Sequence, residues 1–210
     1  MHMIGSLNSM EIQLIEFINL NQDKPYIKFH EFYTEALKNN QKNIDAICIS
    51  SFSSKKEVDS RYVNLKKIEN NELIFFTNYN SPKALQFKNH SQVSISIFWQ
   101  SIQVQVRIKA KVSMLDIKEN QSYFATRSIE KNALAISSYQ SKPIESFDLV
   151  KSKYKLAFKH KDLFVCPEYW GGYRCIPYEF EFWRGNDFRI NKREFYKLNY
   201  GNWVKSILEP

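Results

Sequence analysis

Val93-Ser-Ile-Ser-Ile-Phe-Trp99, followed after two residues by Ile102-Gln-Val-Gln-Val-Arg-Ile-Lys-Ala-Lys-Val-Ser-Met114, is the stretch that decides the fold. Both runs are rich in β-branched and aromatic residues, which suit a pleated, half-buried surface, and a short polar link separates them. They read as neighbouring antiparallel strands. Working outward, similar runs occur upstream at Ala46–Phe52, 61–66 and 73–78, and downstream at 178–183, 188–190, 195–198 and 203–206. Asn70-Asn71 has the composition of a tight hairpin turn. Helical spacing is seen in Phe29, Phe32, Tyr33, Ala36 and Leu37, and again over Ile117–Thr126, Ile129–Ser137 and 144–157. Ser81-Pro82-Lys83 places an N-cap serine and a first-turn proline ahead of a short helix at 84–88. Strands in hairpin order, with helices interspersed, predict a mainly-β antiparallel barrel or sandwich with helices packed outside, and argue against a doubly wound parallel sheet.

At 210 residues with 43% hydrophobic content, the chain suits one domain with a substantial core. Residues 1–28 are expected to form a partly flexible N-terminal extension, and 29–210 the domain itself. No apolar run reaches the roughly 18 residues of a membrane span. The first ten residues lack the basic start and apolar stretch of a secretory leader. The cysteines, Cys48, Cys166 and Cys175, are odd in number and lack metal-ligand spacing. They are expected as buried small hydrophobes in a reducing cytoplasm, with no metal site. The net charge of +8 admits nucleic-acid binding, attraction of small anions, or plain solubility. The lysines are scattered and do not interleave with aromatics in an RNA-binding pattern, so neither a nucleic-acid nor a membrane partner is expected. Neither a Gly-x-Gly-x-x-Gly nor a Walker-type loop is present, which removes support for the common nucleotide folds.

Four constellations could carry chemistry. Arg61-Tyr62-Val63-Asn64-Leu65-Lys66 reads as a strand whose alternation sends cations to both faces. Phe76-Thr77-Asn78 followed by Ser81-Pro82-Lys83 ends a strand and opens a helix beside hydroxyl and ammonium groups, a setting suited to a phosphate dianion. Tyr123 and Arg127 lie four apart on one helical face, with Gln140-Ser141 just beyond the next helix. Finally, Trp170-Gly-Gly-Tyr-Arg174, Glu181-Phe-Trp-Arg-Gly185 and Arg189-Ile-Asn-Lys-Arg193 crowd the C-terminal part. Trp183 could pack on a flat ring while Arg189 and Arg193 face an anion. Taken singly, each is equally at home in an ordinary strand, capped helix or aromatic corner.

Their order is more specific than any one of them. From about Phe29 to Pro210 the chain resembles the pyridoxamine 5'-phosphate oxidases. The features that carry this are the Arg-x-Val-x-Leu-Lys strand, the Thr-Asn…Ser-x-Lys turn, Gln105 within Val-Gln-Val, and Gln140-Ser141. Trp-Gly-Gly-Tyr-Arg, Glu-Phe-Trp, Arg-x-x-x-Arg and the terminal Leu-Glu-Pro follow in the same order. The resemblance implies an FMN-binding split β-barrel with a Greek-key-like antiparallel sheet, two flavins at a homodimer interface, and oxidation of pyridoxamine or pyridoxine 5'-phosphate to pyridoxal 5'-phosphate. It assigns the 61–66 run (Arg61, Tyr62, Val63, Asn64, Leu65, Lys66), Phe76, Thr77, Ser81, Lys83, Gln105, Gln140, Ser141, Trp183 and Arg193 to FMN. Lys66, Tyr123, Arg127 and Lys131 would serve the substrate phosphate, and Arg189 and Asn191 the reacting ring.

The chain departs from the family pattern mainly on the substrate side. Pro82 stands where the family usually has Arg, Lys131 where it has Ser, and Asn191 where it has His; the last change removes a titratable group. These departures keep two other functions in view: a related flavin oxidase acting on another reduced ring compound, as in phenazine biosynthesis, and a non-catalytic binder of flavin or pyridoxal phosphate.

Overall fold

The computed structural model describes residues 14–210, and the expectations for residues 1–13 lie outside the described residues. Alternation builds the sheet. In β5 (Gln92–Trp99) and β6 (Val104–Met114) every second side chain turns inward: Val93, Ile95, Ile97 and Trp99, then Val104, Val106, Ile108, Ala110 and Val112. This is the period a pleated strand imposes when one face is buried. With β2 (Ala46–Phe52), β3 (Val58–Glu69), β4 (Glu72–Asn78) and β7 (Trp170–Arg184) they form a ring in the order β3-β2-β5-β6-β7-β4 and back to β3. Every pairing in the ring is antiparallel, and closure removes the exposed edges that an open sheet would leave. A short β1 (Glu16–Ile18) lies parallel to the end of β3, while β8 (Lys192–Asn199) and β9 (Asn202–Leu208) extend the sheet from the second half of β7. The expected antiparallel barrel with flanking helices is therefore what the chain forms.

Helix α1 (Lys24–Lys38) lays its buried stripe on the barrel core. Tyr26, Phe29, Tyr33 and Ala36 are buried at helical spacing, and the Phe29 and Tyr33 rings approach Trp99 at 5.4 and 6.2 Å. Burying such a ring contributes about 2 kcal/mol of transfer free energy. Because α1 starts at Lys24 and Ile15 is buried in the core, the expected boundary at residue 28 falls inside a helix that belongs to the barrel.

Four further expectations are corrected. β3 is longer than 61–66, and its register shifts between Leu65 and Lys67. That bulge breaks simple alternation, so Leu65 and Ile68 both enter the core. β7 begins at Trp170, eight residues earlier than the composition suggested (178 − 170), because Gly171 and Gly172, poor strand formers, pair with Thr77 and Phe76. Residues 188–190 form no strand: Arg189 sits at φ 58° in a turn, with Phe188 and Ile190 exposed. Helix α5 (Phe147–His160) starts after Ser146, whose hydroxyl accepts from Leu149 N at 3.2 Å. Cys175 is buried, whereas Cys48 and Cys166 are half-buried; all three are free thiols.

Candidate functional site

A cleft of about 1260 Å³ lies against the outer face of β3 and β4. Its other walls are the first turn of α2 (Pro82–Asn89), the C-terminal end of α3 (Ile117–Thr126), helix α4 (Ile129–Ser137) and the segment through Ser141. β3 contributes Arg61, Tyr62, Val63, Asn64 and Lys66, and β4 contributes Phe76 and Thr77. Lys83, Tyr123, Arg127, Lys131, Gln140 and Ser141 complete the set of expected residues that the fold gathers here.

One part of the wall is organised around two cations. The Arg61 guanidinium is held by Ser51 Oγ at 2.6 Å, Gln86 Oε1 at 3.0 Å and Ile49 O at 3.3 Å, and pairs with Asp59 at 2.6 Å. Lys83 is buried, and its ammonium donates to Thr77 Oγ1 at 3.2 Å and Ser81 Oγ at 3.3 Å. Burial, aided by the nearby Arg61 charge, pulls its pKa down to about 8, against the opposing pull of Asp59. Ser81 occupies the N-cap position of α2, yet its hydroxyl makes no cap hydrogen bond and serves Lys83 instead. Gln140 Oε1 accepts from Thr77 Oγ1 at 3.2 Å and from Asn78 N at 3.3 Å, closing the same wall, and Ser141 beside it adopts φ 65°.

The other part is an aromatic stack carrying a guanidinium. Phe76 lies flat on Tyr123 (centroids 3.7 Å apart, planes 7° apart) and is nearly parallel to Trp170 at 5.3 Å. Arg127 lies over the Trp170 ring at 4.4 Å. Its Nη2 donates to Lys131 O at 3.2 Å, while Nη1 is buried without a hydrogen-bond partner. Burial lowers the Arg127 pKa, with Tyr123 and Cys166 acting in the opposite direction, and burial raises that of Tyr123. Lys66 pairs with the buried Asp45 carboxylate at 2.9 Å. The cleft thus offers two places where an anion would complete the hydrogen bonding: a buried ammonium bonded to hydroxyls, and a buried guanidinium nitrogen with none.

Several expected residues lie elsewhere. Leu65 is a core side chain and does not line the cleft. Gln105, Trp183 and Arg193 fall opposite one another across β6, β7 and β8, a row outside the cleft. Arg193 is held there by Glu181 at 2.7 and 3.0 Å and by Glu209 O at 2.8 Å. Arg189 and Asn191 belong to the loop between β7 and β8, where Asn191 Oδ1 accepts from Asn186 N at 3.1 Å. Sequence reading missed the carboxylates Glu16 and Asp59 on the cleft wall and Asp45 behind Lys66. Glu16 and Asp45 gave no signal, because their neighbours are set by how distant segments meet, whereas Asp59, two residues before Arg61 on the same strand, was open to the alternation rule. Among the described residues, no group of His, Cys, Asp and Glu could hold a metal ion, and no helix is long and apolar enough to cross a membrane.

Residues 33–161 match the family described as Pyridoxamine 5'-phosphate oxidase, and residues 170–210 match the Pyridoxine 5'-phosphate oxidase C-terminal dimerisation region. Among curated proteins, the chain is 32% identical over 195 residues to Pyridoxine/pyridoxamine 5'-phosphate oxidase 2 of Hydrogenovibrio crunogenus, covering 91% of each chain. It is 33% identical over 202 residues to Pyridoxine/pyridoxamine 5'-phosphate oxidase of Legionella pneumophila, covering 95% of this chain and 93% of that one. Among solved structures, PhzG from Burkholderia lata, in complex with tetrahydrophenazine-1-carboxylic acid, is similar at TM-score 0.83 and 22% identity, covering 90% of this chain and 93% of that one. A pyridoxamine 5'-phosphate oxidase-related, FMN binding protein from Nostoc punctiforme is similar at TM-score 0.71 and 14% identity, covering 92% of this chain and all of that one.

Proposed function

The chain belongs to the pyridoxamine 5'-phosphate oxidase family, and from that premise we propose that it binds FMN and oxidises pyridoxine or pyridoxamine 5'-phosphate to pyridoxal 5'-phosphate. The observation that carries this reading is the pair of anion-ready positions on one cleft wall, around Lys83 and around Arg127. Two phosphate esters, cofactor and substrate, need two such positions. The residues present fit FMN: a hydroxyl-bonded buried ammonium and a fixed guanidinium suit its phosphate, and Gln140 with Thr77 offers amide and hydroxyl groups beside it.

FMN, when bound, would supply the two-electron acceptor for oxidation of the substrate carbon bearing the alcohol or amine, with dioxygen as the final oxidant. For the alcohol, substrate and dioxygen give the aldehyde and hydrogen peroxide; for the amine, water is consumed and ammonia is released as well. The protein's part is binding and orientation. Tyr123, Arg127, Lys131 and Lys66 grip the substrate phosphate, remote from the reacting carbon, and binding energy there positions the carbon. Arg61 and Lys83 fix the cofactor phosphate.

The row Gln105, Trp183 and Arg193, with Arg189 and Asn191, completes the site from a second copy of the chain. Two observations support this: the row lies outside its own chain's cleft, and it overlaps the region that matches a dimerisation region. Lys131, Asn191 and Pro82 favour a second reading, a family oxidase acting on another reduced ring compound. The test is to load the protein with FMN and supply each vitamer phosphate in air. Pyridoxal 5'-phosphate and hydrogen peroxide formed together support the first reading. Tightly bound FMN with no turnover of either phosphate moves the assignment to the second.

A further inference from the structure

We propose that Asn120 and Tyr79 form a latch that positions the substrate-phosphate clamp, acting through Tyr123 and Arg127 without touching the ligand; this rests on the assignment of that clamp above. Helix α3 carries both clamp residues at its C-terminal end, and its buried side chains are Asn120 and Phe124. Phe124 meets Trp170 edge-on at 5.0 Å. The ring contacts of α3, Phe124 on Trp170 and Tyr123 on Phe76, lie together at its C-terminal end and leave the rest of a short helix free to pivot about them. A second anchor one turn away removes that freedom, and Asn120, four residues before Phe124, stands on the same face.

Every polar atom of that second anchor is engaged. Asn120 Oδ1 accepts from Gly172 N at 2.8 Å, and Nδ2 donates to Tyr79 Oη at 2.9 Å. Tyr79 Oη in turn donates to Gly172 O at 3.1 Å, closing a ring of three groups. The ring joins three elements that build the cleft. Tyr79 follows the end of β4, where Thr77 and Asn78 sit; Asn120 is on α3; and Gly172 opens β7 two residues after Trp170. Gly171 makes the close approach possible, since a Cβ there would lie 2.1 Å from Tyr79 Oη and 2.5 Å from Asn120 Nδ2. The capping box of Asp116 and Glu119 and the Arg174–Glu119 pair at 2.6 Å also hold the start of α3, but they are more exposed than the ring, in which Asn120 and Gly172 are buried and Tyr79 half-buried.

The latch therefore sets the roll of α3, and with it the overlap of Tyr123 on Phe76 and the reach of Arg127 over Trp170. Loosening it should raise the KM for the phosphate ester and leave kcat and flavin affinity in place, because the flavin-phosphate residues sit on β3 and α2. The test uses the FMN-loaded protein and two probes, pyridoxine 5'-phosphate for turnover and inorganic phosphate for binding. Tyr79→Phe, Asn120→Ala and the double variant are compared with wild type. The expected result is a Kd for inorganic phosphate raised about tenfold in each single variant. FMN affinity should stay unchanged, and the double variant should be no weaker than the weaker single, since both break one ring. Tyr79→Phe removes a single oxygen and keeps the test alive if Asn120→Ala does not fold. Unchanged phosphate binding in the single variants overturns the proposal, as does loss of FMN in step with phosphate. Wild-type phosphate binding that is insensitive to Arg127→Ala overturns it as well, because there is then no clamp to position. If the wild type binds phosphate through Arg127 but turns over neither vitamer, the substrate reading fails, and the phosphate measurement still decides the latch.

Discussion

Lys83 shows how the fold can prepare one side chain for an anion. Its ammonium is buried among hydroxyls, and its pKa of about 8 lies below the ordinary 10.5. The unfolded chain holds more protons between those two values, so this group's contribution to the stability of the ligand-free protein rises as pH climbs through that window. On the proposed assignment FMN binding needs the charged form, and it should weaken as pH rises past 8. Titrating FMN affinity and the thermal midpoint from pH 7 to 10, in wild type and Lys83→Met, reads both effects: the variant should lose both pH dependences. On the substrate side, Arg127→Ala should raise KM about a hundredfold with kcat little changed, as loss of a charge-assisted phosphate contact implies. At this scale the sequence was informative about which side chains meet in the cleft. Lys83, Tyr123 and Arg127, picked from type and spacing, all line it. Asp45 and Asn120 could not be picked in this way, because their partners, 21 and 41 residues away, are selected by how distant segments pack; Asp59, two residues before Arg61 on one strand, could have been found from alternation.

At the scale of elements, charge ties the outer strands to the barrel. Glu194 on β8 is almost fully buried and accepts from Lys28 of α1 at 2.9 Å, Lys192 at 3.1 Å and Lys205 of β9 at 2.6 Å. Burial alone would raise its pKa, but the bonds from Lys205, Lys28 and Lys192 outweigh that and hold it at about 2. The stabilisation is present above the ordinary value of 4.5 and is lost as pH falls from there towards 2. Glu194→Gln should cost about 2 kcal/mol in urea unfolding at pH 7, a figure reduced for the exposure of the lysines, and the gap to wild type should narrow as pH falls below 4.5 and close near pH 2. Elements were legible where one pattern rules the whole segment, as in β5 and β6. They were misread where a local event intervenes. A bulge after Leu65 changes the phase of β3, the Gly171-Gly172 pair hides the start of β7, and the apolar Phe188 and Ile190 flank a left-handed turn residue in a loop. None of these events alters composition enough to show in a window of five or six residues.

The whole molecule explains why the expected site residues separate into two sets. One set lines the cleft, and the other forms the β6–β7–β8 row, with Arg193 already oriented by Glu181. Sequence order alone treats both as one site, because it carries no information on which copy of the chain a residue serves. If the row completes the partner's cleft, Arg193→Ala and Lys83→Ala should each abolish activity, while random mixed dimers of the two should regain about a quarter of it, one intact site in half of the molecules. Activity that stays absent in purified mixed dimers would place both residues in the same site. The central claim, that this family member is a working flavin oxidase for a vitamer phosphate, is tested most directly by following the flavin absorption band of the FMN-loaded protein on anaerobic mixing with pyridoxine 5'-phosphate. The account predicts prompt bleaching, with recovery when air is admitted. A flavin band that stays unbleached under saturating substrate would contradict it.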